Sequence, residues 1–185
     1  MVSKIVIVGP PCSGKSVFTL ALLSALEDLG ISCSFVDLDL WGSTFLLLSG
    51  KESSTERTKR KETLVVTKDD IENKLKEFQD ISDVLVIADG PGKISTDLNT
   101  LIQPAKLGII VCRIDKPNDL KKWRNYLEKH GIEIIGIVHT TQNTTESVSM
   151  EGHIEATITN LDRDNSDISS GVHSFASKLK SLLGV

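Results

Sequence analysis

The chain has 185 residues, 39% of them apolar and 25% charged, with a formal net charge of −4. These figures bound it to one ordinary globular core (residues 1–185 as a single domain) and exclude a broadly basic surface for nucleic acid or lipid. No apolar run approaches the roughly 18 residues of a membrane span, no signal-peptide layout follows Met1, and Cys12, Cys33 and Cys112 form no CxxC pair, so a cytoplasmic protein with no membrane partner is expected.

In chain order, Lys4 to Val8 is a short Val/Ile run that reads as a buried strand. It leads directly into Gly9-Pro10-Pro11-Cys12-Ser13-Gly14-Lys15-Ser16, which matches G-x-x-x-x-G-K-[ST]. A helix from Ser16 to Leu29 follows, with Phe18, Leu22, Ala25, Leu26 and Leu29 on one side and Gly30 as its stop. A strand before the motif and a helix after it are the context its chemistry requires. The glycines let successive N–H groups converge on phosphate oxygens, and the helix adds the positive end of its dipole. Lys15 supplies a point charge for the β- and γ-phosphates, and the Ser16 hydroxyl suits one coordination position on Mg²⁺. The nucleotide-binding set is therefore Gly9 to Ser16 with Val17, and the expected ligands are ATP and Mg²⁺. Cys12 reads either as a small residue at a variable loop position or as a thiol sensitised by the helix N-terminus.

The second strand, Ser34 to Asp37, runs into Asp37-Leu38-Asp39 and Trp41. Alternating side-chain directions place Asp37 and Asp39 on the same side. They are read as holding Mg²⁺ through water, orienting an attacking water, or accepting a proton from a substrate hydroxyl; Asp37 is assigned to the metal and Asp39 to catalysis. Residues 49–62 are polar and read as a mobile loop or as an arginine-bearing lid with Arg57 or Arg60.

Thr67 and Asp70 predict a capped helix to about Phe78. The third strand, Val84 to Ala88, ends at Asp89, the expected second carboxylate of the metal and catalytic site. Asp89-Gly90-Pro91-Gly92 is a D-x-x-G turn, in which Gly92 presents a backbone N–H toward a γ-phosphate.

Further strands are expected at Gly108 to Cys112, Ile132 to Val138 and Ile154 to Ile158, giving six. Asn118 is the expected cap of a helix to His130, residues 140–150 read as a second mobile loop, and Ser169 to Leu183 reads as a docking helix. Short buried strands alternating with amphipathic helices make the class α/β: a doubly wound, mostly parallel sheet with helices on both faces.

GPPCSGKS, the DLD after the second strand, DGPG after the third, and the IIVC and IIGIV strands together resemble the P-loop NTPase class of MinD, ParA and dethiobiotin synthetase over residues 1–140. That resemblance implies a three-layer sandwich, ATP hydrolysis, a dimer and protein partners. MinD and ParA carry an extra lysine after the first loop glycine, where this chain has Pro10. The class also places a base-reading asparagine after its IIGIV-like strand, where this chain has His139 and Thr140. The GPPxSGKSVF opening and Leu161-Asp162-Arg163 are also similar to a P-loop domain fused to a CRISPR-associated ring nuclease, which implies an RNA-linked role.

No N-K-x-D follows the late strands, so ATP is expected over GTP. Two enzymatic functions fit these residues: an ATPase switch built on Asp39, Asp89 and the DGPG turn, or a kinase or ATP-dependent ligase with Asp37 or Asp39 as base; a third reading, a module that senses ATP without turning it over, is opposed by the intact Lys15, Ser16 and Asp89. Arg113 and Asp115, at the end of the fourth strand, border the base or form a surface ion pair.

Overall fold

The Val/Ile run after Ser3 forms β1 (Ser3–Val8), whose last four residues are fully buried. It is followed by α1 (Lys15–Asp28), β2 (Ser34–Asp37), α2 (Lys68–Asp80), β3 (Leu85–Asp89), α3 (Thr96–Leu101) and β4 (Leu107–Arg113). The chain continues through α4 (Pro117–Lys129), β5 (Glu133–Thr141), β6 (Ser147–Glu151), β7 (His153–Thr159) and α5 (Ser170–Leu183). This computed structural model describes residues 2–41, 53, 65–142, 144–159, 161 and 169–185.

One seven-stranded sheet runs in the order β2-β3-β1-β4-β5-β7-β6. Every pairing is parallel except β6 with β7, which is antiparallel. The central strands are apolar on both faces because helices cover both. Ile5 and Ile7, Leu85 and Ile87, and Ile109 and Val111 face one core with α1 and α5. The alternate residues Val6 and Val8, Val86 and Ala88, and Ile110 and Cys112 face a second core with α2, α3 and α4. The two-residue period of a strand thus sorts each Val/Ile run between two hydrophobic layers, each buried large side chain contributing about 1.5–3 kcal/mol. On the first face Phe18 of α1 meets Phe175 of α5 edge to face, with ring centroids 5.3 Å apart.

Helix ends are secured locally and at a distance. Thr67 and Asp70 form the expected capping box of α2, and the Thr67 N–H and hydroxyl donate to Asp70 and hold its carboxyl below its ordinary range. The C-terminus of α2 takes the Lys4 ammonium, whose Nζ donates to the carbonyls of Phe78 and Gln79 at 2.6 Å each. Lys180 of α5 does the same for α1 through Leu29 O at 3.1 Å.

Several expectations need correction. Residues 140–150 are not a loop throughout: Thr140 and Thr141 complete β5, and β6 begins at Ser147. The polar composition there is that of an edge strand, formed by pairing with β7 rather than by burial of its own side chains. The sheet consequently has seven strands rather than six. Asn118 does not cap α4; Lys116 holds the cap position and Pro117 takes the first turn, where its missing N–H costs nothing. The short α3, capped by the Ser95 hydroxyl on Leu98 N, was not expected. Residues 42–44, the 49–62 segment with Arg57 and Arg60, and Asp162 and Arg163 lie outside the described residues, apart from Ser53.

Candidate functional site: a phosphate loop and its cleft

Strand β1 delivers Gly9 to the carboxyl edge of the sheet, between β3 and β4. A Cβ on Gly9 would lie 2.0 Å from the carbonyl oxygen of Val111, so only glycine lets the chain turn here against β4. The turn continues through half-buried Pro10, exposed Pro11 and exposed Cys12, the last in the left-handed region at φ 59°. Gly14, also left-handed at φ 81°, then swings the chain into α1. No side chain caps α1 and its first turn holds no acidic residue, so its N-terminal N–H groups face the loop without a protein anion. Val17 is half-buried at the third position of this helix.

Three predicted residues come together. Lys15 Nζ lies 2.8 Å from Asp89 Oδ1, and the Ser16 hydroxyl donates to Asp89 Oδ2 at 2.7 Å. Lys15 and Asp89 are only 7% and 1% exposed, so the two charges compensate each other inside the protein. The Asp89 turn packs on the loop: a Cβ on Gly92 would come within 3.0 Å of Pro11 N and 3.2 Å of its Cα. Gly90 N donates to Ile7 O at 2.9 Å, tying the same turn to β1.

Asp37 is register-paired with Asp89 on the neighbouring strand, at the same sheet edge. Its Oδ1 accepts from Asp39 N at 2.9 Å, and Asp39 Oδ1 accepts from Trp41 N at 3.2 Å, so both carboxylates shape the turn that leaves β2. Both are half-buried, while Leu38 between them is fully buried and Trp41 is exposed.

Beside the loop opens a cleft of about 530 Å³. Cys12, Ser13 and Gly14 of the loop line it together with Arg113, Ile114 and Asp115 after β4, Thr140, Thr141 and Gln142 at the end of β5, and Leu161. The Arg113 guanidinium grips Asp115 through Nε at 2.9 Å and Nη2 at 2.8 Å, which raises the arginine and holds the Asp115 carboxyl below its usual range. The Thr140 hydroxyl donates to Ser13 O at 2.9 Å and pins the loop to β5. His139, one residue earlier, does not line the cleft; its Nε2 lies 3.0 Å from Glu155 Oε1. Strand alternation separates the two, and of this pair only Thr140 faces the loop. Gln142 carried no sequence signal and Leu161 only the resemblance through Leu161-Asp162-Arg163; topology brings Leu161 to Gly14, where a Cβ would lie 3.6 Å from that of Leu161.

The donor set fits a phosphate chain and a hard cation. The Ser13 hydroxyl is buried and has no hydrogen-bond partner among the described residues, and it sits inside the loop beside the uncapped helix. Ser16 and Asp89 offer two hard oxygens, while no cluster of three or more His, Cys, Asp or Glu suited to a metal occurs among the described residues. That is the donor set of an ion such as Mg²⁺, which takes most of its ligands from phosphate and water. Burial, with Asp119 nearby, pushes the Cys112 thiol up to about 12.

The parallel sheet, the glycine loop opening α1 and the carboxylate on the neighbouring strand define the P-loop NTPase α/β fold. The chain is similar in structure to the MinD septum site-determining protein of Pyrococcus horikoshii solved with Mg-ADP (20% identity, 76% of this chain and 70% of that one, TM-score 0.58). A MinC:MinD cell division complex of Aquifex aeolicus aligns at 19% identity over 77% and 70%, with a TM-score of 0.59. A putative plasmid partition protein of Borrelia burgdorferi bound to AMPPNP aligns along 100% of this chain and 99% of its own, at 12% identity and a TM-score of 0.61. The expected MinD/ParA type of architecture is therefore the observed one. No protein-family profile matches the chain, and no curated protein matches it by sequence. No helix among the described residues is long and apolar enough to cross a membrane.

Proposed function

We propose that this chain is a Mg²⁺-dependent ATPase that works as a nucleotide switch. The observation that carries this reading is the convergence of Lys15, Ser16 and the D-x-x-G turn on one point: Lys15 and Ser16 both bond Asp89, while Gly92 packs against Pro11 of the loop.

Bound nucleotide supplies a polyphosphate chain and Mg²⁺ supplies charge neutralisation at the bond to be broken. The protein's part is to place groups. With nucleotide bound, Lys15 would turn from Asp89 to phosphate oxygen, and Ser16 and Asp89 would hold the cation, directly or through water. Asp37 lies beside Asp89 in register, and in this reading it supports the same oxygen set while Asp39 orients an attacking water. The cleft between Arg113 and Leu161 takes the base and ribose; its volume is that of small-molecule sites. The Gly92 N–H would hold the Gly90–Gly92 turn against a γ-phosphate, and without that contact the turn would be released to a surface read by a protein partner. Solved neighbours with Mg-ADP and AMPPNP support the nucleotide class, and the MinC:MinD complex supports a protein partner. With Pro10 at the second loop position, dimerisation does not use a lysine from that site.

The test is phosphate release from Mg-ATP by the purified protein, alone and with candidate acceptors. Release without an acceptor is expected, and Lys15→Ala is expected to weaken ATP binding by about tenfold to a hundredfold, as loss of charge-assisted bonds implies. Phosphate that appears only on an acceptor would replace the switch with a kinase, and unaltered ATP binding in Lys15→Ala would remove the phosphate assignment.

A further inference from the structure

Glu146 lies four residues beyond Gln142, in the connection from β5 to β6, and its carboxylate is half-buried. Oε1 accepts from the N–H of Thr159 at 3.1 Å and from its hydroxyl at 3.3 Å. Oε2 accepts from Gly171 N at 2.9 Å and from the Ser170 hydroxyl at 3.1 Å. One carboxylate therefore joins three elements: the segment leaving β5 after Thr141 and Gln142, the end of β7 two residues before Leu161, and the first turn of α5. The fit is close, since a Cβ on Gly171 would lie 3.1 Å from Oε2. The positive end of the α5 dipole faces the same oxygen.

Thr141, Gln142 and Leu161 line the cleft with Thr140, and a Cβ on Gly14 of the loop would lie 3.6 Å from that of Leu161. We infer that Glu146 is a positioning residue for the base side of the nucleotide site, holding the two chain segments that carry Gln142 and Leu161 at a fixed separation by bracketing both to α5. The inference rests on the reading of the cleft as the base and ribose site. Glu146 touches neither the phosphate loop nor Asp89, so its effect falls on recognition of the nucleoside and not on the phosphates.

Calorimetric titration with Mg-ATP and with Mg-tripolyphosphate, on the wild-type protein, Glu146→Ala, Glu146→Gln and Ser170→Ala, separates these effects. Wild type is expected to bind ATP more tightly than tripolyphosphate. Glu146→Ala is expected to lose about five- to tenfold in ATP affinity, the size of one or two ordering hydrogen bonds, with tripolyphosphate binding unchanged. Glu146→Gln and Ser170→Ala keep the packing and lose less, and they carry the comparison if the alanine variant does not fold. A wild type that prefers ATP beside variants that keep that preference within about twofold overturns the inference and leaves the cleft reading standing. Equal weakening of both ligands also overturns it, because that marks a general structural role. If wild type itself binds ATP no better than tripolyphosphate, the cleft reading falls and this inference falls with it.

Discussion

Lys15 and Asp89 lie 74 positions apart in sequence and form a buried ion pair at 2.8 Å in the floor of the phosphate site. Each is the other's charge compensation, so removing one strands the other in a poorly hydrated setting. Asp89→Asn is expected to destabilise the nucleotide-free protein by about 3 kcal/mol, whereas Lys15→Met with Asp89→Asn recovers most of that, since a buried pair replaced together is often neutral. Urea midpoints of the two variants check this; a single variant as stable as wild type would mean that water already screens the pair.

The turn at Gly9 depends on a missing atom. Gly9→Ala would set a methyl group 2.0 Å from Val111 O, a backbone atom of a central strand that cannot move aside, and at φ 156°. Gly30→Ala meets nothing within 4 Å, although φ is 74° there. The second substitution is expected to cost about 1 kcal/mol, the left-handed penalty alone, and the first several times more. Thermal unfolding of both variants compares steric clash with backbone strain directly; equal losses would remove the close approach as the reason for glycine in the loop.

The fold was legible where burial on both faces writes itself into composition. The runs at Ile5–Val8, Leu85–Ala88 and Ile109–Cys112 are apolar at every position because each residue enters one core or the other. Strand β6 was illegible for the opposite reason. Its Ser147, Ser149, Met150 and Glu151 are exposed, and its pairing with β7 is a hairpin about Gly152 that the polar composition of the strand does not announce. The phosphate site was legible because its parts are contiguous, Gly9 to Ser16 and Asp89 to Gly92. The cleft was legible at Cys12, Ser13 and Gly14, which belong to the loop motif, and at Arg113, Asp115 and Thr140, which lie at or just beyond the ends of strands. Leu161 and Glu146 act through neighbours contributed by other elements, Gly14 in one case and Thr159 and Gly171 in the other.

Cys12 holds φ 59° without being glycine. The left-handed conformation costs an L-residue about 1–2 kcal/mol, while glycine loses about 0.5–1 kcal/mol more chain entropy on folding. Relief of strain outweighs entropy, so Cys12→Gly is expected to raise stability by up to about 1 kcal/mol. It is exposed and lines the cleft, so ATP is also expected to slow its modification by a thiol reagent. A destabilised glycine variant would show that the thiol makes a contact worth more than the strain.

Glu146 predicts a pH dependence with a definite sign. Burial alone would raise its pKa, but the N–H groups of Thr159 and Gly171 and the hydroxyls of Ser169 and Ser170 outweigh that and hold the carboxyl below its ordinary value. A folded-state pKa below the unfolded one, near 4.3 for glutamate, gives stability that is present above the unfolded value and is lost as pH falls through the folded value. Glu146→Gln lacks that contribution at every pH. The stability difference between wild type and Glu146→Gln is therefore expected to be widest near pH 7 and to narrow below about pH 4, where the unfolded chain takes up the proton first. Urea unfolding of the pair at about pH 7 and about pH 3 measures it. A difference that stays constant would mean that the four hydrogen bonds hold a neutral side chain as well as a charged one, and that the bracket on the cleft depends on shape rather than charge.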